Sequence, residues 1–175
     1  MFETMQSLDF SLLDLIAARR FGAATNALTA VTRLGDNGVL WIAIALMLCV
    51  FKKTRRTGVL MIIALAATFV VSTLGLKHLF SRARPCVVEP DKTFLFCPAG
   101  YSFPSGHSVS SFAAAGVLWF RRQTGAFAAM LAAFLIAFSR VYLFVHFPTD
   151  VLTGALLGLA AAYIVCNLAQ KRADF

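Results

Sequence analysis

The residues best suited to chemistry fall in three short segments. They are Lys77-His78-Leu79-Phe80-Ser81-Arg82-Ala83-Arg84-Pro85, Pro104-Ser105-Gly106-His107, and Ser139-Arg140 followed by His146 and Asp150. Lys77, Arg84 and Arg140 are cations expected at or just beyond the ends of helices. An arginine presents a planar fork that matches phosphate oxygens, whereas a lysine acts as a point charge. Pro104-Ser105-Gly106 ahead of an apolar run marks a helix N-terminus, whose free N–H groups favour an anion. Gly106 lets that backbone approach closely. Lys77, Arg84, Ser105, Gly106 and Arg140 thus describe a phosphate site. His146 and Asp150 are four residues apart. If Pro148 opens a helix, the carboxylate meets the imidazole across one turn, fixes its tautomer and leaves the other ring nitrogen as a nucleophile. His107, beside the same phosphate, can protonate a leaving oxygen. This chemistry calls for no cofactor or metal: the loop before Pro104 offers only Glu89 and Asp91, at no ligand-like spacing.

These segments must be positioned by elements suited to a bilayer. The chain has 175 residues, 59% hydrophobic and 14% charged, with mean hydropathy +0.78. That composition excludes a disordered chain and argues against a water-soluble domain, in which about 25% of residues are charged. Uncharged runs cover Gly38–Phe51, Gly58–Leu76, Ser108–Phe120, Gly125–Ser139 (continuing past Arg140 to Phe147) and Val151–Leu168. With flanking cations snorkelling, these give five membrane helices. The fold class expected is an all-α polytopic membrane bundle in a single domain, residues 1–175, with its transmembrane core at 37–170. Residues 1–36 are interrupted by charges. They read as interfacial amphipathic helices, the first carrying an apolar stripe of Leu8, Phe10, Leu12, Leu13, Leu15 and Ile16, the second near Ala24–Arg33. No signal-peptide pattern is seen.

The net charge of +8 comes from sixteen Lys and Arg. Lys52, Lys53, Arg55, Arg56, Arg121, Arg122, Lys171 and Arg172 follow the first, third and fifth runs and mark the cytoplasmic face. Arg19, Arg20, Arg33, Lys77, Arg82, Arg84, Lys92 and Arg140 fall on the other face, so the count orients the chain only weakly. Alternation of the spans brings the three chemical segments to that outer face. The positive charge is thereby used for topology and phosphate, and nucleic acid is not needed as a partner; the partners are the bilayer and, as the resemblance below implies, a phosphorylated membrane lipid.

The pattern Lys, six residues, Arg-Pro; then Pro-Ser-Gly-His; then Ser-Arg, five residues, His, three residues, Asp resembles the type 2 phosphatidic acid phosphatase family, a pattern vanadium haloperoxidases share. Lys77–Pro85, Pro104–His107 and Ser139–Asp150 match in order, and the resemblance spans about residues 70–165. It implies a metal-free helical bundle. His146 would form a phosphohistidine, Asp150 would orient it, His107 would be the general acid, and Lys77, Arg84, Ser105, Gly106 and Arg140 would bind phosphate. The substrate implied by similarity to small bacterial members is undecaprenyl diphosphate, with phosphatidylglycerol phosphate, phosphatidic acid and lipid A 1-phosphate as alternatives. The location implied is a bacterial inner membrane with the site on the periplasmic face. A lipid-anion binding or transport protein would use the same cations without turnover, but gives His146 and Asp150 no task.

Some residues receive plainer readings. Arg82 and His78 lie inside the first segment and are given no catalytic role; Arg82 reads as an interface anchor, with assistance to a diphosphate as the alternative. Phe80, Phe94, Phe96 and Phe103 read as the rim of a lipid entry, and Trp41 and Trp119 as interface residues. Gly154 and Gly158 suit close helix packing. Cys86 and Cys97 enclose ten residues and are expected to pair where the loop faces an oxidising compartment.

Overall fold

The computed structural model describes residues 2–93 and 97–171. Phe94, Phe96 and Arg172, named above, lie outside the described residues. The elements are α1 (Phe2–Ala17), α2 (Gly22–Leu34), α3 (Val39–Val50), α4 (Arg55–Phe69), α5 (Lys77–Phe80), α6 (Pro85–Val88), α7 (Gly106–Phe120), α8 (Ala126–Tyr142) and α9 (Pro148–Lys171). A π-helical stretch, Val70–Leu76, joins α4 to α5. The described residues contain no strand.

Three helical stretches are long and apolar enough to cross a membrane: Gly22–Val50, Arg55–Val88 and Pro148–Lys171. The expected first, second and fifth spans fall within them. The third and fourth correspond to α7 and α8, which have 15 and 17 residues. The first stretch also takes in α2, because only the tight turn Gly35–Gly38 separates α2 from α3. In that turn Asn37 and Gly38 adopt left-handed backbone, at φ 51° and 67°.

α7 is the central helix. Its buried face is made of Ser108, Ser111, Ala113, Ala114, Ala115, Gly116 and Val117 among others, and α9, α8 and α4 pack around it. In lipid there is little hydrophobic drive between helices, so small residues that let backbones approach carry the association. Gly154 and Gly158 do this as the sequence suggests. A Cβ on Gly154 would lie 2.8 Å from the Ser105 carbonyl oxygen, and one on Gly158 would lie 2.5 Å from that of Val109. At the end that carries the basic turns, Thr54 Oγ1 donates to the Leu48 carbonyl at 2.9 Å and Arg55 Nε to that of Cys49 at 3.1 Å. Arg56 likewise donates to the Ala169 carbonyl near the end of α9. Those cations therefore also cap helix C-termini.

Two expectations are corrected. Trp41 is not an interface residue: it is 1% exposed and its Nε1 donates to Ser111 Oγ on α7 at 2.9 Å. A buried indole needs a partner for its N–H, and a serine on the central helix supplies it. Trp119 is half-exposed and keeps its reading. The stripe on α1 is not one face either. Leu13, with Phe10 and Ile16, packs against Val141, Phe144 and Phe147, while Leu8, Leu12 and Leu15 stay exposed. The segment before residue 37 thus packs on the bundle, with Asp9 on its buried side.

Gly158→Ala should lower stability by ~1–3 kcal/mol, the cost of overpacking a tight contact. Gly22→Ala, whose Cβ would meet nothing within 4 Å, should not. Thermal unfolding of the two variants in detergent checks this.

Candidate active site

The polar site is assembled from backbone that leaves the helices at one end of the bundle. α5 stops at Ser81, whose backbone is left-handed at φ 43°. Arg84 follows in an extended conformation, and Pro85 opens α6. A proline favours both its own place at the start of a helix and the extended form of the residue before it. The loop from Cys97 to Ser105 then folds over this segment. Ser102 N donates to the Arg82 carbonyl at 2.8 Å, and Ser105 N to that of Asp150 at 3.1 Å. Cys86 and Cys97 form a disulfide that joins α6 to this loop, and Cys49 and Cys166 are free.

Between α8 and α9 the chain doubles back. Both Val145 N and His146 N donate to the Arg140 carbonyl, at 3.1 and 3.2 Å, and Phe144 takes a φ of 64°. His146 is thus held in a short connection, 2% exposed. α9 opens at Pro148, as the expected meeting of His146 and Asp150 requires. That meeting is indirect. His146 Nδ1 is 3.6 Å from Asp150 Oδ2, while Ser102 Oγ stands 3.3 Å from Nδ1 and donates to Oδ2 at 2.5 Å. Phe147 N donates to the same oxygen at 3.0 Å. On the other side of the ring, Arg84 Nη1 lies 2.8 Å from Nε2. A guanidinium can only donate, so Nε2 is the acceptor and Nδ1 carries the hydrogen. The proton chain runs from Nδ1–H to the Ser102 hydroxyl to Asp150, and the Nε2 lone pair faces the cations. Burial, reinforced by Arg84, Arg140 and Lys77, holds the His146 imidazole well below the usual histidine range, so the ring is neutral.

Arg84 and Arg140 are each 5% exposed. Arg84 is positioned by carbonyls, with Nε donating to Gly100 at 3.0 Å and Nη1 to Val145 at 3.1 Å. Lys77 Nζ donates to the Tyr101 carbonyl at 2.8 Å. Arg140 Nη1 donates to Thr32 Oγ1 at 2.6 Å, and its buried Nε has no hydrogen-bond partner. Buried cations without carboxylate partners are costly, and an anion offsets that cost. Ser105 is fully buried just ahead of α7, accepting from Ser108 Oγ at 3.1 Å. The structure therefore gathers His146, Asp150, Lys77, Arg84, Ser105, Gly106, His107 and Arg140 at one end of the bundle.

His107 has a partner the sequence reading did not assign: its Nε2 is 3.0 Å from Asp36 Oδ1. Gly35 lies under the same ring, where a Cβ would come within 2.6 Å of His107 Cδ2. Ser102 and Arg82 were also missed. Arg82, read as an anchor, instead pairs with Asp150 and Asp9, each at 2.7 Å. The available signal was Asp9 itself, an acid in an apolar stripe. Ser102 had none.

From Gly106 and His107 a cleft of about 660 Å³ runs down between α3 and α4. Its walls include Ile42, Leu46, Ile62 and Phe69, all of which are also exposed on the flank of the bundle. The cleft therefore opens sideways, with the ionic site at its head.

Ser102→Ala should slow turnover of a phosphate ester ten- to a hundredfold, matching the ~1.5–3 kcal/mol of a hydrogen bond to a charged group. Gly35→Ala, which displaces the His107 ring, should act in the same direction. Steady-state phosphate release measures both.

Comparison with known proteins bears on the family and the fold. The sequence pattern of the PAP2 superfamily matches residues 56–174. YbjG of Escherichia coli K12 is 37% identical over 160 residues, 89% of this chain and 79% of that protein. An undecaprenyl-diphosphatase of Sulfolobus acidocaldarius is 30% identical over 157 residues, 87% of this chain and 75% of its own length. The crystal structure of a transmembrane PAP2-type phosphatidylglycerolphosphate phosphatase from Bacillus subtilis superposes with a TM-score of 0.81 at 28% identity, covering 96% of this chain and 87% of that one. A match over two thirds of the sequence, on a fold that agrees from end to end, places the chain in the PAP2 superfamily as a membrane phosphatase.

Proposed function

We propose that the chain hydrolyses the terminal phosphate of a lipid diphosphate, undecaprenyl diphosphate in the first instance, through a phosphohistidine at His146. The observation that carries this reading is the neutral, buried His146, its Nδ1 engaged by Ser102 and its Nε2 turned to Arg84. In the first step the phosphate takes over the guanidinium donors of Arg84 and Arg140, which frees the Nε2 lone pair. Nε2 attacks phosphorus, the bond to the bridging oxygen breaks, and His107, carrying the extra proton that Asp36 and the bound phosphate anion draw onto its ring, delivers it to that oxygen. The imidazolium formed is stabilised through Ser102 and Asp150. In the second step water attacks the phosphohistidine, His107 accepts its proton, and inorganic phosphate leaves. The developing negative charge is met by Lys77, Arg84, Arg140 and the N–H groups at the start of α7.

The lateral apolar cleft supports a lipid substrate, since a polyprenyl or acyl chain would lie between α3 and α4 with its headgroup at His107. The likeness to the Sulfolobus acidocaldarius undecaprenyl-diphosphatase supports the diphosphate. Phosphatidylglycerol phosphate is the second reading, favoured by the fold-wide superposition on the Bacillus subtilis enzyme. The Cys86–Cys97 disulfide supports a site on the oxidising, periplasmic face of a bacterial inner membrane, with five spans and the basic turns inside.

Purified protein in detergent should release phosphate from undecaprenyl diphosphate faster than from phosphatidylglycerol phosphate, phosphatidic acid or lipid A 1-phosphate. Chelator should leave the rate unchanged. His146→Ala should abolish release, and binding without release by the wild type would favour a lipid-anion carrier. A lowered imidazole pKa keeps the nucleophile neutral on acidification. The acid limb of phosphohistidine formation, followed by rapid quench, should therefore lie below pH ~6.5, the ordinary histidine value.

A further inference from the structure

An ionic cluster where α1 meets the start of α9 touches the reaction steps above only through Asp150. Arg82 Nη1 is 2.7 Å from Asp150 Oδ1, and its Nη2 is 2.7 Å from Asp9 Oδ2. Nη1 also donates to Thr149 Oγ1 at 2.8 Å. Asp9 closes the ring, accepting from Thr149 Oγ1 at 2.5 Å and from Thr149 N at 3.1 Å. The Arg82 guanidinium carbon lies 3.9 Å from the centre of the Phe147 ring. Asp9 is 1% exposed and Asp150 is fully buried.

Each contact has a local cause. Asp150 is the third residue of α9, and its side chain turns back to Phe147 N, the reciprocal half of a capping box. The other half needs an oxygen from the residue before the helix, and Phe147 has none. Asp9 supplies it from another helix by accepting the Thr149 N–H. Two carboxylates then stand together at the start of α9, and one planar guanidinium bridges them. Because Arg82 occupies Oδ1, only Oδ2 of Asp150 is presented to Ser102 and the imidazole. A single ammonium has no such fork.

The geometry points to Arg82 and Asp9 as positioning residues: Arg82 orients the Asp150 carboxylate toward the Ser102–His146 chain, and Asp9 of α1 holds Arg82 in place. The region matched to the PAP2 superfamily begins at residue 56, so Asp9, like Thr32 beside Arg140 and Asp36 beside His107, reaches the site from outside that region. Docking α1 alone would not require this chemistry, since Leu13 already seats that helix in an apolar pocket. The assignment rests on the phosphohistidine reading.

The test is a set of full-length variants, Asp9→Asn, Arg82→Lys, Arg82→Ala and the double Asp9→Asn/Arg82→Ala, assayed in detergent with undecaprenyl diphosphate and the other three lipids. Arg82→Ala should lower kcat about a hundredfold, the scale of misplacing a catalytic group, with KM within about threefold, as expected when ground-state binding is untouched. Asp9→Asn should lower kcat about tenfold, and the double variant should be no worse than Arg82→Ala, since residues acting through one chain are not additive. Arg82→Lys should recover the unfolding temperature but not kcat, which separates positioning from support of the fold. A rise in KM at unchanged kcat would make Arg82 a phosphate ligand and overturn the assignment. Wild-type kcat in Asp9→Asn, or additive losses in the double variant, would remove Asp9 from it. A wild type that turns over none of the lipids would overturn the phosphatase reading itself.

Discussion

Two guanidinium groups, those of Arg84 and Arg140, are held almost out of water at the end of an apolar bundle. Carbonyl oxygens of Gly100 and Val145 orient Arg84, but dipoles do not cancel a full charge. Asp150, a fully buried carboxylate, is already claimed by Arg82. The site therefore keeps an excess of positive potential where the His146 ring stands neutral. This placement dictates the irregular backbone around it. Helices consume their own carbonyls, so the acceptors that orient Arg84 and Lys77 must come from the loops at 97–105 and 143–147. Such backbone is tolerated near a membrane only where protein covers it, and Leu13 of α1 and the Cys86–Cys97 bridge pack against it.

The three chemical segments could be read directly because each combines residues whose spacing has one strong explanation. Arg140 in an apolar run, a Pro-Ser-Gly turn before a helix, and a His four residues before an Asp across a proline are each local patterns. Their convergence followed from the alternation of apolar runs. Partners far apart in sequence were invisible for the same reason. Arg82 and Asp9 are 73 residues apart and His107 and Asp36 are 71, so no periodicity connects them. Arg82 looked like an interface anchor because a cation at a helix end suits water equally well. Trp41 was misread because an indole near the end of a span looks the same whether it meets headgroups or a serine on a neighbouring helix. The long helices were legible from composition, whereas the junction of α2 with α3 depended on two left-handed residues in a turn that reads as a simple break.

The central helix joins these parts. α7 presents alanine, serine and glycine to its neighbours, and its first turn carries Gly106 and His107. The close approach of α9 at Gly154 brings that helix to the Ser105 carbonyl, so the packing that holds the bundle together also sets the distance between the turn that opens α7 and Asp150. Stability and catalysis share one contact, which leaves little freedom to change either alone.

The cleft below His107 opens through the flank of the bundle rather than through its polar end. A molecule reaching the site by that route diffuses in the plane of the leaflet and never passes through bulk water. Its encounter rate is then governed by its mole fraction among surrounding lipids, and diluting it with inert amphiphile slows the reaction at constant molarity. Saturation is properly expressed as a surface density, and the protein's own share of the membrane area becomes one of the variables that set flux.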